Sequence, residues 1–330
     1  MVTDNERERH AAALRGLLYL ACPNATATAI TETAAAIARR TDATPTAPVP
    51  ESVQLYRHRP ERGSSDPLNP FDRPSPLDLR NSFLRDADLT GANLRDAKLR
   101  SADLTDADLT DANLHDADLL RARLVAANLT RADLHDALLR DTNLRNANLT
   151  EAKLYDADLH RAHLVTANLT RADLTRADLH NANLHNATLT DANLQNAKLN
   201  HAQLVAADLT RANLSAADLS GANLSAANLQ ETDLTDAKLT DAALRNADLH
   251  DADLARADLT GADLSQANVR AAKLSLATGV IIPTGATWDA STQWPAHLAS
   301  RAVDVSDEVA PGVYRVRGDE ALDRSGAGRL

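Results

Sequence analysis

Leucine recurs at every fifth residue from Leu79 to Leu274, with Val269 as the one departure, and alanine stands two residues earlier at 36 of the 40 positions. The departures at the small position are Leu77, Ser82, Thr142 and Thr232, so the unit is Ala-(Asp/Asn)-Leu-x-x, as in Ala87-Asp88-Leu89-Thr90-Gly91. A period of five fits neither regular element. A helix advances about 100° per residue, which would wind leucines five apart around every side instead of along one stripe. A straight strand would throw successive leucines onto opposite faces, because its side chains alternate with period two. The chain must therefore turn a corner in every unit. Between corners, alternation turns the Ala and Leu of a unit inward, so that Ala87, Ala107, Leu89, Leu109, Leu129 and Leu149 belong to the core. The residue between them and the two after leucine point outward.

Slower periods give the number of sides. Threonine occupies 90, 110, 130, 150, 170, 190 and 210, and Asp111, Arg131, Glu151, Arg171, Asp191, Arg211 and Glu231 alternate in sign at the same interval. Twenty residues per coil means four sides of five. A second echo places Val125, Val165 and Val205 two coils apart. Asp, Asn or Gly often stands two places after leucine, as at Gly91, Asp96, Asn146, Asn181, Gly221 and Gly261, and these types tolerate a left-handed corner.

This motif resembles the pentapeptide-repeat family over residues 78 to about 276. The resemblance implies an all-β solenoid, a right-handed quadrilateral β-helix. Forty units at four per coil imply about ten coils, a rod on the order of 48 Å long at about 4.8 Å per coil. Members that protect DNA gyrase are thought to imitate duplex DNA, so the resemblance also implies gyrase as a partner to test. Those members are typically shorter, with Phe at many centres and a C-terminal dimer module, and neither feature is recognisable here.

Outside the repeat, residues 6 to 21 and 24 to 40 have the pattern of two helices, which predicts a helical hairpin over 1–40. Eight prolines between Pro45 and Pro76 predict a linker over 41–77. After Leu274 the pattern degrades into Thr287-Trp288-Asp289 and Gln293-Trp294-Pro295. An open β-helix end needs covering, so 277–317 is expected to be a cap built on Trp288 and Trp294, with a short strand in the run 311–316 and a disordered tail over 318–330. The tail is similar to C-terminal extensions of actinobacterial members.

The net charge of −11 disfavours direct nucleic-acid binding, and no segment has the length of a membrane span. The single cysteine, Cys22, excludes an intrachain disulfide and favours a reducing cytoplasm. Cys22 ends a short apolar run, but Asp4, Glu6, Glu8 and Arg15 oppose its reading as a lipoprotein signal.

A leucine-filled rod has no concave, water-restricted site, and no phosphate loop, metalloprotease motif or nucleophile elbow occurs. No catalytic residue, cofactor or metal is therefore expected. Sorting outward residues by side gives 9 acidic and 4 basic around Leu89, Leu109 and onward, and 9 and 5 around Leu94, Leu114 and onward. The other two sides balance, with 4 and 4 and with 8 and 8. The candidate interaction residues are the column Asp96, Asp116, Asp136 and Asp156 on the second acidic side, and Val125, Val165 and Val205 on a neutral one. Duplex DNA carries about 28 charges over 48 Å, roughly three times the excess available, which weakens mimicry. The threonine column suggests ice binding as a remote alternative, although Arg131, Glu151 and Arg171 spoil its flatness. His115 over His135 and His160 over His180 fall short of four ligands and are taken as turn residues. These features predict a non-enzymatic scaffold for an unidentified protein partner, with oligomeric state left open.

Overall fold

The computed structural model describes residues 76–318. The predicted hairpin over 1–40, nearly all of the linker and residues 319–330 of the tail lie outside them. From Asp78↔Lys98 to Asp258↔Thr278 every bridge is parallel and joins residue i to residue i+20, in four ladders that start at Asp78, Phe83, Asp88 and Asn93. The fold is a four-sided β-helix solenoid.

One unit shows how the backbone is satisfied. Leu89 N–H donates to Asp108 O at 2.7 Å, Asp108 N–H returns to Ala87 O at 2.9 Å, and Gly91 N–H reaches Thr110 O at 2.8 Å. Ala92 N–H closes the corner onto Leu89 O at 3.0 Å. The remaining donor, Thr90 N–H, is taken by Asp88 Oδ1 at 3.1 Å. Where Asp or Asn precedes leucine, its side chain thus supplies the acceptor that backbone cannot. From the sequence alone this Asp or Asn is expected only to point outward.

Corners are left-handed in the column two places after leucine, from Asn81 to Ala271. Its non-glycine φ angles run from 53° to 62° and include Arg121, Ala126, Thr166 and Glu151, far beyond the Asp, Asn and Gly types that mark such corners in sequence. An L-residue is disfavoured there by roughly 1–2 kcal/mol. Stacked hydrogen bonds on both sides hold the conformation regardless of side chain.

The interior is leucine and alanine, nearly all at or below 1% exposure. Thr142 and Thr232 are fully buried, and their hydroxyls donate to Leu119 O and Leu209 O at 2.9 Å on the coil beneath.

The repeat continues beyond Leu274 instead of degrading. Asn268 bridges Thr287 and Lys273 bridges Gln293, which sets Ala286-Thr287-Trp288 and Thr292-Gln293-Trp294 in register with the units beneath. Ala286 and Thr292 take the small position, and Trp288 and Trp294 take the leucine position. Thr292 repeats the inter-coil bond, donating to Val269 O at 2.9 Å. Strands β1 (Thr287–Asp289), β2 (Ser306–Ala310) and β3 (Val313–Val316) form an antiparallel sheet in the order β1-β3-β2, with helix α1 (Ala299–Asp304) before β2. Trp288 stacks on Tyr314 at 4.7 Å, meets Trp294 edge-on at 6.2 Å, and donates its indole N–H to Ser306 Oγ at 2.9 Å. These rings join the leucine core as one cluster, so the larger indoles close what leucine began.

Candidate interaction faces

Each side displays columns of residues 20 apart, and each column has its own chemistry. On the side centred on Leu109 and Leu129, Thr130 Oγ1 donates to Asn128 Oδ1 at 2.6 Å and accepts from Asn148 Nδ2 at 2.8 Å. Asn128 reaches Thr110 Oγ1 in the same way at 2.8 Å. The hydroxyls of Thr110 and Thr130 are thus tied into a part-buried polar ladder between coils, which counts against a free hydroxyl array there. The alternating column beside it is paired as its signs imply: Arg131 meets Asp111 at 2.7 Å, Arg171 meets Glu151 at 2.6 Å, and Arg211 meets Asp191 at 2.7 Å.

The acidic column on the adjacent side is more neutralised than its sequence implies. Arg95 lies between Asp96 and Asp116, at 3.5 Å and 3.1 Å, His115 Nε2 adds a contact to Asp116 at 3.0 Å, and Arg176 Nε binds Asp156 at 2.8 Å. That bond to Arg176 holds the Asp156 carboxyl below the usual carboxylate range. Asp136 has no such cationic clamp in the column. Basic neighbours on the same and adjacent coils thus reach into the column.

Val125, Val165 and Val205 are half-buried, and Arg145 and His185 fill the alternate positions of their column. They form separated spots rather than a continuous apolar strip. The large apolar side chains that do stand well exposed are elsewhere, at Phe83, Leu138, Leu276, Ile281, Val303 and Val309. An open groove between coils is lined by Asp141, His160, Arg161, His163, Asn181 and Asn183, with Arg161 paired to Asp141 at 3.2 Å. It is polar and shallow. Histidines stack as the spacing predicts: His115 on His135 with ring centres 3.4 Å apart, and His160 on His180 at 5.2 Å. Tyr155 extends the first stack at 4.7 Å from His135. Among the described residues, no helix is long and apolar enough to cross a membrane.

A closed interior with chemical variety only on its outer columns defines a repeat rod. The pattern described as pentapeptide repeats matches in 8 copies over residues 77–106, 107–146, 127–165, 167–204, 202–241 and 237–275, and the chain belongs to that family. Among solved structures it is similar to HetL, a pentapeptide repeat protein involved in heterocyst differentiation regulation from the cyanobacterium Nostoc sp. strain PCC 7120. The identity there is 36% over 62% of this chain and 92% of that one, with a TM-score of 0.28. It is similar also to Rfr23 from the cyanobacterium Cyanothece 51142, at 38% identity over 28% of this chain and 63% of that one, TM-score 0.27. A trypsin-treated form of QnrB1, a plasmid-mediated fluoroquinolone resistance protein, is 17% identical over 69% of this chain and 94% of that one, TM-score 0.39. No curated protein sequence matches the chain.

Proposed function

We propose that this protein is a non-enzymatic, cytoplasmic interaction scaffold that presents the faces of a right-handed rod of about ten coils to a protein partner. In this organisation residues 78–276 are the rod and 277–317 the cap. One observation carries the reading: leucine and alanine fill the interior almost without exception, so that chemical variety is confined to the outward columns. The two faces singled out are the acidic column Asp96, Asp116, Asp136 and Asp156 and the valine spots at Val125, Val165 and Val205.

Affinity purification from the native cell tests this with wild-type bait, a bait carrying Asp116→Asn and Asp136→Asn, and one carrying Val125→Ser, Val165→Ser and Val205→Ser. A partner held by wild type and lost from one of the two variants supports the scaffold. Partners retained equally by all three baits would remove both faces from the proposal. Turnover of a metabolite by the purified chain, lost on mutation of a mapped residue, would overturn its non-enzymatic part.

The second reading is DNA mimicry toward gyrase. It is favoured by the placement of the repeat's whole charge excess, 30 acidic against 21 basic residues, on two adjacent sides. The likeness to QnrB1 is too distant to add to it.

A further inference from the structure

We propose that the middle of the valine-bearing side, around Arg123 and Arg145, docks a short, extended acidic segment of a protein partner. The proposal deepens the scaffold reading and rests on it for the kind of occupant. This side balances 4 acidic against 4 basic residues, but the signs are segregated along its length. Its acids are Asp86, Asp103 and Asp106 near one end and Asp263 near the other. Between them, from Arg123 to Asn246, seven successive coils place no Asp or Glu outward on this side, in a chain of net charge −11.

The cations of this stretch are also the unclamped ones. Of the 16 arginines in residues 78–276, 13 pair with a carboxylate, as Arg245 does with Asp263 at the far end of the same side. The three that make no ion pair among the described residues are Arg121, Arg123 and Arg145, which stand together on two adjacent coils, all exposed.

The polar groups between these arginines donate as well. Asn143 Oδ1 accepts Arg145 N–H at 3.3 Å, and Asn183 Oδ1 accepts His185 N–H at 3.1 Å, the turn bond that Asp88 makes elsewhere. Each amide oxygen is thereby used, and its NH₂ group remains to donate. Aspartate in the same place would make the same turn bond and add a negative charge. His163 and His185 are exposed, and each ring carries at least one N–H. From Arg123 to His185 the surface is therefore free of anions and rich in donors, the complement of carboxylates on an extended backbone.

Its dimensions limit the occupant. Arg123 and His185 are three coil steps apart, roughly 14 Å, which an extended chain covers with four or five residues at about 3.3 Å each. Val125, Arg145, Val165 and His185 follow one another at about 4.8 Å, so apolar spots separate the basic ones. His163 and Asn183 also line the open groove between coils, which gives a chain a recess to enter. A long polyanion such as nucleic acid fits less well, because it meets Asp103 and Asp106 in one direction and only the already paired Arg245 in the other. The acidic column Asp96 to Asp156 lies on the opposite side of the rod, behind an interior about 10 Å thick, so its repulsion is largely screened at about 0.1 M salt.

The full-length chain is to be titrated against fluorescein-labelled hexaglutamate, read by polarisation at low and at physiological salt. Saturable binding that weakens as salt rises is expected. Arg123→Gln with Arg145→Gln should weaken it about tenfold or more. Arg245→Gln, which removes a cation already held by Asp263, should leave it unchanged. In the unaltered chain the peptide should shift the backbone amide resonances of Arg123, Arg145, His163 and His185 and spare those of Asp116 and Asp136, a readout that no folding defect can imitate. Wild-type affinity no greater than that of the double variant, or shifts centred on another side, would overturn the site. Tighter binding of hexathymidylate than of hexaglutamate at the same residues would overturn the peptide assignment. Failure of hexaglutamate while partners are still captured from the native cell would strike this surface and leave the scaffold standing.

Discussion

At the scale of single residues, the inward and outward halves of the unit differ sharply in tolerance. Ala187 is 1% exposed, and leucine in its place would force three more carbons between coils already in contact. Ala187→Leu is therefore expected to cost about 1–3 kcal/mol. The neighbouring Asn186 holds a corner at a φ of 54°, yet Ala126, Ala206 and Ala216 hold the same corner at 54° to 56°. Asn186→Ala should consequently cost under about 1 kcal/mol, since asparagine's advantage in the left-handed region is all that is lost. Urea unfolding of both variants checks the pair, and equal midpoints would contradict the packing argument. Glycine is needed at fewer corners than the turn geometry suggests. A Cβ at Gly221 would fall 2.5 Å from His201 Nδ1, so the imidazole would have to move aside, whereas one at Gly91 would meet open space.

At the scale of the side, hydrogen bonds between coils take over from intrinsic preference. Thr130 bonds Asn128 and receives Asn148, so Thr130→Val keeps the β-branched shape and removes both contacts. The expected loss is about 1 kcal/mol by denaturant unfolding, at the low end for two bonds because water reaches this part-buried ladder. A loss indistinguishable from zero would mean that β-branched packing, not the hydrogen-bond chain, holds the column. The same scale shows what the sequence can reveal. Leucine at every fifth place exposes the core directly, because burial depends on size and apolarity, and the 20-residue coil follows from recurring threonines and charges. The role of Asp88 as acceptor for Thr90 N–H was hidden, since that bond lies within a turn whose geometry no single residue announces. Trp288 and Trp294 escaped as repeat centres because the loop from Gly279 to Gly285 breaks the five-residue count, although three-dimensional register survives it. Candidate faces were legible only as columns of residue types. Whether a column is bare or clamped depends on side chains from neighbouring columns, as Arg95 shows at Asp96 and Asp116.

At the scale of the whole molecule, charge governs both stability and association. Asp263 is held down to about 2 by its hydrogen bond with Ser265 and then by Arg245. Asp111, Asp191 and Asp236 are lowered in the same direction by arginines 20 residues on. A carboxyl whose folded pKa lies below its unfolded value of about 3.9 contributes stability above that value and loses it as pH falls through the folded pKa. The melting temperature should therefore be nearly flat from about pH 7 to 5 and fall between about pH 4 and 2, as circular dichroism would record. A melt that rises over that acid range would contradict the sign. Association tests the same charges from outside. The two acidic sides carry a net −9, and the clamps at Asp96, Asp116 and Asp156 leave Asp136 as the least neutralised member of its column. If the rod imitates duplex DNA, it should inhibit gyrase supercoiling at about micromolar concentration, and more strongly at low salt because the attraction is screened over about 10 Å at 0.1 M. Asp116→Lys with Asp136→Lys should abolish inhibition and leave the melt nearly unchanged, because both side chains stand outside the core. Inhibition that is absent at every salt concentration, or that survives the double reversal, would return the acidic column to the role of a solvated face.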